Sequence, residues 1–157
     1  MEKIAVGILF FLCLFPASFI SAETALVMRV IDGDTLEVKM MNTQKTEKVR
    51  MIGIDTPELH NHGKKPQWLA REACQRTREL LEGQKIEMES DTNQDNRDKY
   101  HRLLRYIFLN GKNINEQLVE EGFAYEYTYD EEVPYDKQSE FQAAEQIAKQ
   151  ERVGLWQ

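Results

Sequence analysis

Apolar and polar residues alternate in short runs over much of this chain, and in three stretches they recur instead at helical spacing. From Thr24 to Ile31 the alternation is imperfect, while Leu36, Val38 and Met40 alternate cleanly with Glu37 and Lys39. Both runs predict strands, the second with one face in water. Glu47 to Ile54 predicts a third strand, with Val49 and Met51 on one face and Arg50, Ile52 and Ile54 on the other. A guanidinium sharing a face with two isoleucines calls for an anionic partner, or for a side chain that snorkels at a barrel rim. Ile86 and Met88 alternate with charged neighbours in a fourth strand, and Leu103 to Leu109 forms the fifth.

Helical spacing begins at Trp68 and runs to Glu82, with Leu69, Ala73, Thr77, Leu80 and Leu81 on one stripe and Gly83 to end it. Asn113, with Glu116 three residues on, resembles a capping box and opens a short helix reaching Gly122. A last helix puts Phe141, Ala144, Ile147 and Ala148 on one face, after which Trp156 docks on the domain. The segment from His60 to Gln67, broken by Gly63 and Pro66, reads as a loop. His60 and His62 are expected there as exposed loop side chains rather than metal ligands. Asn110-Gly111 marks a tight turn. Together these elements predict an α+β, mainly β domain: a five-stranded Greek-key barrel with three packed α-helices.

Composition narrows the picture. The chain has 157 residues, enough for one domain with one core. Lys3, the apolar run Ile4 to Phe15 and the small residues up to Ala22 have the layout of a secretory signal, so residues 1–22 are expected to be removed and 23–157 to form the domain. Secreted or periplasmic location follows, with no stable membrane association and a monomeric product. Cys13 would leave with the leader, and Cys74 then reads as a small packed hydrophobe without a disulfide partner. A net charge of −7 argues against a long, tight nucleic-acid footprint. It leaves room for an enzyme that grips one phosphodiester, with a cation supplying positive charge.

The chemistry concentrates in two acidic stretches. Asp32-Gly33-Asp34 sits between two strand-like runs, and Asp55-Thr56-Pro57-Glu58 ends the third. If they meet in space, Asp34 and Asp55 can ligate one cation, with a backbone carbonyl such as that of Thr56 completing the set. Oxygen-only ligation favours Ca²⁺ or Mg²⁺ over zinc. Glu58 could reach a neighbouring water as general base, and Arg50 with a second arginine could clamp a phosphate. The residues alone leave that second arginine open among Arg97, Arg102 and Arg105.

Ile31-Asp32-Gly33-Asp34-Thr35, Arg50 followed by Ile54-Asp55-Thr56-Pro57-Glu58, Asp98-Lys99-Tyr100-His101-Arg102 and the terminal Gly-Leu-Trp-Gln together resemble the staphylococcal nuclease family. The resemblance covers essentially all of 23–157. It implies an OB-type barrel and a Ca²⁺-dependent endonuclease acting on single-stranded or denatured DNA and RNA, leaving 3′-phosphate ends. By position it makes Asp34, Asp55 and the Thr56 carbonyl calcium ligands, Arg50, Glu58 and Arg102 catalytic, and Asp32 a supporting carboxylate. Lys99 and Tyr100 become substrate phosphate contacts. One or two of Tyr125, Tyr127 and Tyr129 would stack on a base, with Tyr127 and Tyr129 the first candidates. One departure is His101, where the family prototype has glycine. The alternative is a catalytically silent barrel that binds nucleic acid or protein, and loss of the carboxylates or arginines would mark it. None is lost here.

Overall fold

A computed structural model of the protein describes residues 22–59, 63 and 65–157. The expected leader, apart from Ala22, lies outside the described residues, as do His60 and His62. Strands β1 (Glu23–Asp32), β2 (Thr35–Met40) and β3 (Thr46–Met51) form an antiparallel meander. A short β4 (Ile54–Asp55) precedes helix α1 (Ala70–Leu81), followed by β5 (Lys85–Glu89) and β6 (Leu103–Leu109). Then come β7 (Lys112–Asn113), α2 (Ile114–Glu120), β8 (Tyr125–Glu126), α3 (Gln138–Glu151) and a 3-10 turn over Gly154–Trp156. The sheet order is β3-β2-β1-β5-β6-β7, and a parallel pairing of β3 with β6 joins its ends. Five long strands thus close into a mixed barrel carrying three helices, the OB-type α+β architecture expected.

One continuous core holds it together. Val27, Leu36, Val38, Val49, Met51, Ile86, Met88 and Ile107 are all buried along the barrel strands. Leu118 and Val119 of α2 meet Phe141 and Ala144 of α3 in the same cluster. Asn113 caps α2 as expected, its side chain accepting from the amides of Asn115 and Glu116. Among the described residues no helix is long and apolar enough to cross a membrane.

Three expectations change. First, β3 stops at Met51: Ile52 and Gly53 turn the chain, and β4 pairs with β8 instead. Arg50 therefore shares no strand face with Ile52 and Ile54, both of which are buried. The turn is enforced at Gly53, which has φ +75° and lies so close to the C-terminal layer that a Cβ would come 2.6 Å from the Tyr135 ring. Asn115, wholly buried, repairs the broken ladder: it accepts from the Ile107 amide at 3.0 Å and donates to the Ile52 carbonyl at 2.9 Å. Second, α1 starts at Ala70, and Leu69 before it has φ 61°, which leaves Trp68 outside the helix and exposed. Third, Ile147 of α3 is exposed while Phe141, Ala144 and Ala148 are buried. At about 100° per residue it lies roughly 120° round from Phe141, beyond the stripe that α2 covers.

Gly53→Ala combines a left-handed backbone with overlap on Tyr135 and Phe141. It should lower the unfolding free energy by about 2–4 kcal/mol. Urea unfolding is expected to show an earlier midpoint at unchanged slope.

Candidate active site

The β1–β2 hairpin turns at Gly33 and Asp34, and the turn is held against the strand end that follows β4. Asp34 is buried, and its Oδ2 accepts from the Thr56 amide at 3.1 Å and the Thr56 hydroxyl at 3.2 Å. Its Oδ1 accepts from the Thr35 hydroxyl at 2.9 Å. Gly33 permits this approach, because a Cβ there would fall 2.6 Å from Thr56 Oγ1. The Thr77 hydroxyl of α1 donates to the Gly33 carbonyl at 2.7 Å, fixing the turn from behind. Asp32 accepts from the Gly33 amide at 2.9 Å and the Leu59 amide at 3.4 Å, so it braces both acidic stretches.

Arg50 supplies the anionic partnership that its position demands. Its Nη1 donates to the carbonyls of Met51 and Ile54, each at 2.7 Å. Nη2 stands 3.2 Å from Asp34 Oδ2 and 3.0 Å from Asp55 Oδ1. The guanidinium thus bridges the two carboxylates and the turn between β3 and β4. Positive charge is already favoured at that point.

Across the cleft, the loop before β6 presents Arg102. Asp98 receives the amides of Tyr100 and Arg102 through Oδ1, each at 2.9 Å, and Arg102 Nε through Oδ2 at 2.6 Å. Arg102 Nη1 reaches the Thr35 hydroxyl at 3.4 Å, and its guanidinium lies 5.4 Å from the Tyr100 ring centre. His101 has φ 64°, so the non-glycine residue sits in the left-handed conformation glycine would take freely. Arg97 holds its carbonyl at 2.8 Å while binding Glu47 of β3 with two nitrogens at 2.8 and 3.1 Å. Arg105 is 4 % exposed and pairs with Glu23 at 2.6 Å. Of the three arginines left open by the residues alone, Arg97 and Arg102 both line the cleft, and Arg102 is the one that reaches Thr35, next to Asp34.

Asp34, Arg50, Asp55, Arg97, Asp98 and Arg102 line one cleft of about 860 Å³ together with Asp32, Glu58, Lys99, Tyr100, Tyr127, Tyr129 and Tyr135, whereas Thr56 and Arg105 stand outside its lining. Burial, joined by the charges of Asp32, Asp34 and Asp55, raises the Glu58 carboxyl above the usual glutamate range. Burial also raises Asp55, with Arg50 opposing and Asp34 and Asp32 adding to the rise. Two carboxylates give oxygen donors suited to a hard cation, although Arg50 Nη2 already pairs with both, so a cation would take the place of that contact. No group of three or more His, Cys, Asp or Glu side chains with ligand geometry occurs among the described residues. A cation would accordingly draw on backbone or water oxygen besides Asp34 and Asp55.

The tyrosines separate cleanly. All three are exposed, but Tyr127 and Tyr129 line the cleft, whereas Tyr125 stands outside it and packs edge-on against Trp156 at 5.4 Å between ring centres. Trp156 docks as expected, with Lys149 Nζ 4.5 Å from its ring centre. Cys74 is a free, buried thiol, as its place in α1 suggested. Residue patterns alone missed Asp98 and Tyr135. Asp98 lies four residues before Arg102, a spacing that could have announced it. Tyr135 donates to Glu126 Oε1 at 2.9 Å, a contact that only the folded chain creates.

The family model described as "Staphylococcal nuclease homologue" matches residues 48–157. The chain is 37% identical over 129 residues to endonuclease YncB of Bacillus subtilis, covering 82% of this chain and 59% of that protein. It is 38% identical over 129 residues to the SPbeta prophage-derived endonuclease YokF of the same organism, covering 82% and 42% respectively. It thus spans less than two thirds of either Bacillus relative. To the thermonuclease of Staphylococcus hyicus it is 34% identical over 134 residues, covering 85% of this chain and 76% of that one.

Burial would raise the Asp98 carboxyl, yet the hydrogen bonds from Arg102 and two amides hold it below the usual aspartate range. Such a group adds stability above its unfolded value and loses it as pH falls through the folded one. The stability gap between the wild type and Asp98→Ala should therefore be largest near neutral pH. In urea unfolding it should shrink once the pH drops below about 3.9, the ordinary aspartate value. A gap independent of pH would contradict the pairing.

Proposed function

The chain belongs to the staphylococcal nuclease homologue family, and we propose on that footing that it is a Ca²⁺-dependent endonuclease. Its substrates are single-stranded or denatured DNA and RNA, cleaved to 3′-phosphate products. The observation carrying this reading is the convergence of Asp34, Arg50, Asp55, Glu58 and Arg102 on one cleft. Residues 23–157 form the working domain, a monomer. The layout of residues 1–22 supports delivery outside the cytoplasm, to the periplasm or the medium, with no stable membrane association.

Asp34 and Asp55, with the Thr56 carbonyl, would hold Ca²⁺, and Asp32 adds negative charge beside them. When bound, the cation neutralises charge on the phosphate oxygens and acidifies a nearby water. Arg50 has Nη1 tied to two carbonyls and Nη2 tied to Asp34 and Asp55. Once those carboxylates are otherwise engaged, Nη2 turns to a phosphate oxygen while Nη1 keeps the guanidinium in place. Arg102, fixed through Nε by Asp98, offers its outer nitrogens to the same phosphate. Glu58 takes the proton of the attacking water, and its raised carboxyl makes it a better acceptor than an ordinary glutamate. Water oxygen joins phosphorus as the P–O5′ bond breaks, Arg102 stabilises the departing oxygen and the charge of the transition state, and O5′ takes its proton from solvent. Lys99 and Tyr100 contact a neighbouring phosphate, and Tyr127 and Tyr129 stack on a base.

Single-stranded DNA incubated with the purified protein should be degraded with added Ca²⁺ and spared with a chelator. An absence of Ca²⁺-dependent cleavage would overturn the reading in favour of a silent binding module. Glu58→Ala and Arg102→Ala should each lower kcat by about 10²–10⁴-fold while circular dichroism remains that of the wild type. Near-full activity of either variant would remove that residue from the mechanism.

A further inference from the structure

The loop that presents Arg102 carries an unfavourable conformation at the residue just before it. His101 has φ 64°, a left-handed state that a Cβ disfavours and that glycine enters freely. Each peptide unit is planar, so leaving that state would turn one of the two units that flank His101. Both units are tied. The unit between Tyr100 and His101 donates through the His101 amide to the Asp98 carbonyl at 2.9 Å. The unit between His101 and Arg102 is held at both edges. Its amide, that of Arg102, donates to Asp98 Oδ1 at 2.9 Å, and its carbonyl, that of His101, accepts from Arg97 Nη1 at 2.8 Å.

Two of these three bonds come from Asp98, inside the loop. The third depends on the barrel. Arg97 Nη1 and Nη2 meet Glu47 Oε2 and Oε1 at 2.8 and 3.1 Å, a two-nitrogen grip on one carboxylate that fixes the guanidinium where the His101 carbonyl can use it. Glu47 belongs to β3, three residues before Arg50, so the strand that carries one cleft arginine also anchors the loop that carries the other. Arg97 lines the cleft, but Glu47 does not. Any effect of Glu47 on chemistry in the cleft therefore passes through Arg97.

We infer that Arg97 and Glu47 are positioning residues for Arg102. They hold the 101–102 peptide against the strain of a left-handed histidine, and so keep the Arg102 guanidinium on Asp98 and Thr35. The clamp is needed because residue 101 has a side chain. With glycine there, the left-handed state costs little and Arg97 becomes dispensable. The effect on catalysis rests on the nuclease reading, while the effect on the loop rests on geometry alone.

Amide hydrogen exchange, followed by NMR on the free protein without cation or nucleic acid, reads the loop directly. Arg97→Ala and Glu47→Ala should each speed exchange at the His101 and Arg102 amides about tenfold, the scale of the left-handed penalty, while Val49 and Ile107 in the barrel stay slow. His101→Gly in either background should restore most of the protection. In steady-state cleavage of single-stranded DNA, the same two variants should lower kcat about tenfold with KM within about twofold, and His101→Gly should recover the kcat. Unchanged exchange would overturn the inference. So would a kcat loss that glycine does not recover, which would make Arg97 a direct substrate contact. Exchange needs no cleavage, so an inactive wild type would count against the nuclease reading and leave this measurement to decide the clamp.

Discussion

The buried carboxylate of Asp34 is the constraint around which the site is built. A charge taken from water must be met on nearly every lone pair, and here the partners come from three separate stretches. Thr35 belongs to the same hairpin, Thr56 to the segment beyond β4, and Arg50 to β3. Satisfying one oxygen pair therefore pins the tip of one hairpin to the end of another element. The Arg50 guanidinium extends the join by holding the carbonyls on either side of the Ile52–Gly53 turn. Two acidic turns far apart in sequence become one face.

A second join brings the opposite wall into register. β3 and β6 pair in parallel, with Arg50 opposite Leu104, and this places the Arg102 loop beside Thr35. The loop is cross-tied electrostatically: Asp98 gathers two amides and one guanidinium, and Arg97 ties the His101 carbonyl to Glu47 of β3. The same clamp explains how a histidine is kept in a left-handed conformation there. A backbone state disfavoured by roughly 1–2 kcal/mol persists when several hydrogen bonds fix both of its neighbours.

Much of this could be read from residue order, and the reasons for the remainder are physical. Strands β2 and β5 alternate cleanly because one face is wet, so their pattern declares them. The break after Met51 left no mark in the alternation, since Ile52 and Ile54 are buried on either side of a turn set by packing against Tyr135. The choice among Arg97, Arg102 and Arg105 turned on partners distant in sequence, Glu47, Thr35 and Glu23, which no local spacing reveals. The tyrosines were equivalent in composition and became distinct only through Trp156, which occupies Tyr125 and leaves Tyr127 and Tyr129 on the cleft.

Barrel closure through the parallel β3–β6 contact has a consequence for the life of the chain. Residues 49–51 must find 103–105 across an intervening segment that carries β4, α1 and β5, and contacts of such separation are slow to form because closure entropy precedes any gain. Arg50 and Arg102 flank this contact, so the two cations meet only when the barrel shuts. Partly folded chains would therefore carry every residue of the cleft without its geometry.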